Sequence, residues 1–383
     1  MTKIALTMLA VSSTLVLGGM RQPADASPVS PVIEFDAPGA IQVSSPLCNA
    51  FVVCGTMAQA GNDLGEVVGT YTDAGLVQHA FLRAPNGSNF IAFDAPGAGG
   101  GQGQGTIAFA INNAGVIAGA FQDSNNVYHG FLRSPNGSFE QLDAPGAGTA
   151  AGQGTLAFGV NLPGTMTAGI YIDANNVQHG FVQTPPDRFV MFDPPASTFT
   201  NPCIEPTCVT PGGAVTGYFI VPGTGLVGFV FVPFPPPNGA ITTIDLSPHH
   251  TVANSINTQG VITGAFGQNG IYHGFVCRKP CTENGNSFVR FDDPNATSDA
   301  FGTGTTPISI NIAGAIAGIY SDANYVFHGF ERDAAGHFSH FDAKDGGTGQ
   351  FQGTYTQTIN SSGEVTGWII PDNNVARGFV WQP

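Results

Sequence analysis

Five histidines recur in one local setting, His79 in His-Ala-Phe and His129, His179, His273 and His328 in His-Gly-Phe. Imidazole can serve as base, acid or metal ligand near neutral pH, so these side chains are the first to weigh for chemistry. Each is followed within 14 to 19 residues by an aspartate, Asp94, Asp143, Asp193, Asp292 or Asp342. A side chain repeated in every unit of a repeat protein is, however, more simply a part needed to build the unit. The slot histidines are therefore expected to be hydrogen-bonded within or between strands. The aspartates, ahead of Ala-Pro-Gly at Asp94 and Asp143, are expected to accept backbone N–H groups from their own turns.

Candidates outside that grammar are few. His249 and His250 lie in a short connection and could supply a base or a metal ligand, although solvated loop histidines explain them equally. Arg377 stands where other units carry the slot histidine; it could bind a ligand carboxylate or pair with a neighbouring aspartate. With Tyr355 these make the set that a polysaccharide lyase would need, a base and an arginine to neutralise a uronate. Asp73, Asp123, Asp173, Asp322 and Asp372, often followed by Asn, could ring a ligand-binding mouth with oxygen donors. Such donors suit Ca²⁺, yet the same residues make an ordinary hairpin turn and lack the spacing of a dedicated calcium loop. No other cofactor is indicated. The glycine-rich residues 99–105 open no helix, so they do not cradle a phosphate.

These residues are positioned by a repeat. Aligned on Asp36, Asp94, Asp143, Asp193, Asp245, Asp292 and Asp342, the units recur at intervals of 58, 49, 50, 52, 47 and 50 residues. That period belongs to propellers and solenoids. Within one unit, residues 105–112, 116–122, 127–133 and 138–143 are short runs rich in Val, Ile and Phe, separated by Asn-, Asp-, Gly- and Pro-containing turns. They read as four antiparallel strands, a to d. In the Asp-Ala-Pro-Gly-Ala turns, Pro presets φ and Gly accepts the positive φ of a type II turn. A glycine sits in mid-strand b of each unit, as at Gly69, Gly119 and Gly367. There it is locally costly, and close approach of a neighbouring sheet is the expected reason.

Four-stranded units of about 50 residues match propeller blades. The first unit-like piece, residues 32–36, is only a d strand, while the last unit has a, b and c but no d. The expected fold is all-β, a seven-bladed β-propeller of four-stranded antiparallel blades, in which the N-terminal strand completes the last blade. A parallel β-helix would not explain this complementarity. Alternating strand directions put the d-to-a and b-to-c connections on one face. That face carries the unequal loops, and with them the expected binding site. The other face has short, uniform turns and the Cys277/Cys281 hairpin.

The joint pattern of His-Gly-Phe, Phe-Asp-x-Pro-Gly-Ala and Ile-Asn-x-x-Gly resembles the bacterial extracellular repeat family named for its His-Ala-Phe (HAF) motif. The likeness covers essentially the whole of the chain after residue 26. It implies an exported, propeller-like repeat protein, and it brings no established activity or catalytic residues. Val227 and Arg377 occupy the histidine slot in two units, and the fourth unit lacks a clear Ile-Asn turn.

Residues 1–26, with a charged start, a brief apolar run and an Ala-Asp-Ala exit, read as a cleavable secretory signal. Residues 27–383 are then a single propeller domain, secreted or periplasmic. After export, Cys48 with Cys54, Cys203 with Cys208 and Cys277 with Cys281 are expected to form three local disulfides. The formal charge of −15 argues against nucleic acid and anionic membrane partners, and no later run reads as a membrane span. Together these features imply an exported binding or interaction module, expected to be a monomer, for a polysaccharide or another envelope or extracellular component. A carbohydrate-active enzyme, polysaccharide lyase or glycosidase, is the rival reading.

Overall fold

The computed structural model describes residues 31–44, 54–87, 89–184, 188–195, 197–202, 209–223, 225–234, 239–246, 250–279, 281, 287–297 and 302–383. The expected signal, Cys48, Cys203, Cys208 and His249 lie outside the described residues. The described residues form 28 strands, and the fold is an all-β propeller.

The repeat unit folds as its punctuation predicts. Residues 105–143 form β6 (Gly105–Ile111), β7 (Ile117–Gln122), β8 (Tyr128–Arg133) and β9 (Phe139–Leu142), each within a residue of its expected bounds. They pair as consecutive antiparallel neighbours. The preceding unit, β2 (Cys54–Gly61), β3 (Val67–Thr72), β4 (Gln78–Arg83) and β5 (Phe90–Phe93), pairs in the same way. In the last unit β26 (Gly353–Ile359), β27 (Val365–Ile370) and β28 (Val375–Trp381) are completed by β1 (Ile33–Phe35), with Ile33 opposite Val380 and Phe35 opposite Gly378. The first strand of the chain thus supplies the outer strand of the last sheet.

Burial follows position in each sheet. β3 and β27 are buried along their whole length, because each lies mid-sheet with a neighbouring unit against each face. The outer β5 and β9 are half exposed. Phe81, Phe131, Phe181, Phe229, Phe275, Phe330 and Phe379, the aromatics of strand c, are at most 1% exposed and form the core of the units.

These rings explain the mid-strand glycines and correct the expected cause. A Cβ at Gly119 would lie 2.2 Å from the carbonyl oxygen of Ile107 and 2.5 Å from the ring of Phe131. Both neighbours belong to the glycine's own sheet, so the crowding comes from within the unit rather than from an adjacent one. The carbonyl is turned inward where strand a bulges between Ala108 and Ala110, and the phenyl ring of strand c folds over the gap. A second glycine set spaces the sheets. Gly105 has φ +119 and would place a Cβ 2.0 Å from the Gln78 carbonyl oxygen, at the parallel bridge between β4 and β6.

The type II turns form as expected. Gly97 has φ +95 and Gly146 has φ +114, with Ala98 N–H donating to Ala95 O and Ala147 N–H to Ala144 O. Their entry is braced from the next unit, where Thr106 and Thr155 accept from Ala95 N–H and Ala144 N–H.

The a-to-b turns are bonded to one another. Asn62 Oδ1 accepts from Leu64 N–H and Glu66 N–H within its turn, while its Nδ2 donates to Asn112 O of the next unit. Asn112 donates likewise to Asn161 O, Asn257 to Asn311 O, Asn311 to Asn360 O and Asn360 to Asn62 O. This belt is interrupted in the fourth unit. There Thr210 keeps the turn acceptor, taking Ala214 N–H, but has no amide to donate.

Candidate functional site

The slot histidine is the second residue of its strand, or the third at His273, next to the b-to-c turn, and the aspartate follows the outer strand running back beside it. Antiparallel pairing therefore brings them together. Nδ1 of His79 lies 3.0 Å from Asp94, and the corresponding distances are 2.9 Å for His129 and Asp143, 2.8 Å for His179 and Asp193, 2.7 Å for His273 and Asp292, and 3.0 Å for His328 and Asp342. Facing a carboxylate, which only accepts, Nδ1 is the donor nitrogen. The expected own-turn role for these aspartates is thus corrected at these five units: the carboxylate takes the imidazole, and the next residue's N–H goes to threonine where Asp94, Asp143, Asp292 and Asp342 are concerned.

The aspartates of the b-to-c turns complete four of these stations, all but that of His273. Asp123 Oδ1 accepts from Asn125 N–H and Val127 N–H, which fixes Oδ2 at 3.9 Å from His129 Nε2. Asp73, Asp173 and Asp322 stand 3.5, 3.6 and 3.9 Å from the Nε2 of His79, His179 and His328. Each of these imidazoles is sandwiched between two carboxylates and stacked on the ring of Tyr71, Phe121, Tyr171 or Tyr320. Asp372 differs, accepting from Thr348 N–H. Among the described residues, no group of three or more His, Cys, Asp or Glu is arranged to hold a metal ion, and the five b-to-c aspartates sit beside their own histidines or loops.

Burial and charge compete at His328. Desolvation disfavours its cation, but the hydrogen bond to Asp342 and the charges of Asp342, Asp322 and Asp293 outweigh it, so its pKa is raised. Its neighbour Tyr320 has its phenol pushed up by burial first, and then by Asp342 and Asp293. Asp293, fully buried, bonds His340 Nε2 at 2.9 Å.

The residue two places before each aspartate decorates its station, a feature that the sequence reading missed. In chain order it is Glu34, Ala92, Gln141, Met191, Thr243, Arg290 and His340, different in every unit. Gln141 Nε2 lies 3.1 Å from His129 Nδ1 and donates to Asp143 at 2.7 Å. Arg290 reaches both His273 and Asp292. Aligning the units by period exposes this variation, but its placement against the histidine depends on strand register.

Among the described residues, the lyase-type candidates Tyr355, Arg377 and His250 do not converge. Tyr355 is 2% exposed, burial pushes its phenol pKa up, and its hydroxyl donates to Phe351 O at 2.6 Å. Arg377 is engaged on Asp36 at 3.1 Å, Glu34 at 2.9 Å and Asp345. Partial burial opposes its charge, yet the Asp36 and Glu34 carboxylates prevail and raise its pKa. It therefore acts as the slot residue of the last unit, tying β28 to β1. His250 is exposed and forms a bridge with Leu226. It is not outside the repeat, since it occupies the slot ahead of Thr251 that is Gly55, Gly105, Gly154, Gly304 or Gly353 ahead of the threonine elsewhere. Val227, in the histidine slot of the fourth unit, is buried. Cys277 and Cys281 are joined in a disulfide, and Cys54 is disulfide-bonded.

No protein-family model matches the chain, and no curated protein does. Among solved structures, the β-propeller domain of the Trilobed protease from Pyrococcus furiosus, described as having an open velcro topology, aligns with a TM-score of 0.53 at 10% identity, over 85% of this chain and 94% of that one. The BP39L lectin from Burkholderia pseudomallei aligns at 0.49 and 9% identity, over 85% and 94% of the two chains. TolB from Acinetobacter baumannii aligns at 0.44 and 11%, over 83% and 80%. At these identities the likeness is one of fold, and it identifies a propeller without indicating a ligand. No helix among the described residues is long and apolar enough to cross a membrane.

Proposed function

We propose that the protein is an exported seven-bladed β-propeller, residues 27–383, of the HAF-repeat kind, acting as a non-catalytic binding module with its ligand on the d-to-a and b-to-c face. The observation that carries this reading is the station series. Four units present the same aspartate, histidine and second aspartate at one end of their sheets, at His79, His129, His179 and His328, and the fifth presents His273 with Asp292. The outer aspartates are 42–54% exposed at their side chains. Half-exposed carboxylates held in place by imidazoles suit the hydroxyl donors of a polysaccharide, and their repetition suits a ligand that itself repeats. The blade count rests on four-strand pairing, export on residues 1–26, and HAF membership on the shared motifs.

Affinity electrophoresis in gels containing neutral or acidic polysaccharides tests the reading. Retention by at least one polysaccharide should be lost when Asp94, Asp143 and Asp193 are all changed to Asn. Retention that is unchanged in this variant, or no retention at all, overturns it. The rival enzyme reading is tested on the same polysaccharides by the ultraviolet absorbance of an unsaturated uronate. Product that disappears on changing His249 and His250 to Ala would replace the binding module with a lyase.

A further inference from the structure

The interruption of the asparagine belt coincides with a cavity of about 650 Å³ between the fourth and fifth units, on the face opposite the histidine stations. Its walls are the a-to-b turn of the fourth unit, from Thr210 to Ala214, that of the fifth unit around Gln259, and the end of β20 (Ile271–Arg278) with Lys279. Elsewhere the belt amide of one unit reaches the turn carbonyl of the next. Asn161 instead turns its amide to Thr165 within its own unit, and Thr210 has none to offer Asn257 O, so the two turns are not drawn together.

Two cations line this gap. Arg278 donates from Nη1 to Gln259 O and from Nη2 to Gln259 Oε1, both at 3.3 Å, which fixes the guanidinium against the fifth unit's turn. Lys279 follows it. Both fall between Cys277 and Cys281, whose disulfide closes a loop with a sequence separation of 4 and limits the freedom of the segment that carries the charges. Among the described residues no carboxylate pairs with either side chain. Desolvation lowers the Lys279 pKa. Adjacent cations with no carboxylate partner among the described residues are unusual in a chain with 11 basic and 26 acidic residues. In the same fold Arg377 is held by three carboxylates, and Arg83, Arg133 and Arg332 lie over the rings of Phe35, Phe93 and Phe291.

We propose that this cleft binds a small organic oxyanion, with Arg278 and Lys279 on the charged group and Thr258 and Gln259 on its polar body. The volume lies within the range of small-molecule sites. A planar guanidinium held on one edge by Gln259 keeps its remaining N–H groups available for an oxyanion. The aspartate stations are on the far face, and their repulsion is screened beyond about 8 Å at physiological ionic strength. This site is independent of the polysaccharide reading above.

Isothermal titration with digalacturonate, a carboxylate probe, and with galactose 6-sulfate, a sulfate probe, tests the proposal on the disulfide-bonded protein. Saturable binding of at least one is expected, and the stronger probe identifies the anion class. Arg278→Gln and Lys279→Gln should each weaken it about tenfold, whereas Lys344→Gln should leave it unchanged. Arg278 and Lys279 are exposed, so these variants should fold, and circular dichroism confirms that they do. No saturable binding of either probe to the wild type, or equal affinity in the Arg278 and Lys279 variants, overturns it.

Discussion

The side-chain amide of Asn360 donates to the backbone carbonyl of Asn62 at 3.0 Å, joining residues 298 apart in sequence. The same Asn360 caps its own turn, accepting from Ser362 N–H and Glu364 N–H. One buried amide thus shapes a turn and ties the last unit to the first. Asn360→Ala should cost about 2–4 kcal/mol, since it leaves buried N–H groups and a carbonyl unpaired. A loss below about 0.5 kcal/mol by denaturant titration would contradict this account of the belt.

The converse change is available in the fourth unit. Thr210→Asn retains the turn acceptor and restores the missing donor toward Asn257 O. It should stabilise the fold by up to about 1 kcal/mol, read as a raised melting temperature. A lowered one would show that the gap is not set by the missing amide.

Phe35 of β1 packs on Phe81 and Phe90, with Arg83 over its face. Phe35→Ala should therefore cost about 3–5 kcal/mol, and it should lower the single unfolding transition of the whole ring rather than produce an early partial one. Arg377→Ala should add to the loss by stranding the Glu34, Asp36 and Asp345 carboxylates. A melting curve unchanged by Phe35→Ala would refute the seam.

Because the folded pKa of His328 is raised above its usual 6.5, its contribution to stability is full below that value and is lost as pH rises through the folded value. Asp342→Asn removes the largest source of the upward shift. The stability difference between wild type and Asp342→Asn should thus be greater near about pH 5.5 than near about pH 8.5. The opposite trend in thermal denaturation at the two pH values would exclude the station as its source.

Gly119→Ala would drive a methyl group into Ile107 O and the Phe131 ring. Neither a bulged backbone nor a core phenyl can retreat cheaply, so the cost should be at least about 2 kcal/mol. Gly100→Ala, where nothing lies within 4 Å, should be near neutral. Equal effects in urea titration would contradict the packing account.

Much of this molecule was legible in the chain. Period, strand bounds, type II turns and the placing of β1 beside β28 followed from local signals: apolar runs of a few residues, Pro and Gly at fixed turn positions, and an outer strand missing from the last unit. The meaning of single residues was less accessible. Reading Asp94 as the cap of its own turn fails because it takes an imidazole, and reading His250 as outside the repeat fails because it fills a glycine slot. Both errors have one cause, because the partner of each residue is on another strand and is chosen by register.

The sequence by itself determined a repeated four-stranded unit and its closure, since these depend on periodicity and backbone preference, which are properties of short segments. Tertiary structure alone decided that five histidines face aspartates, that Arg377 is taken by three carboxylates, and that a missing amide at Thr210 leaves a cleft beside two cations. The first two depend on the register between strands of one sheet, the third on contacts between units about 50 residues apart, and no local pattern encodes either.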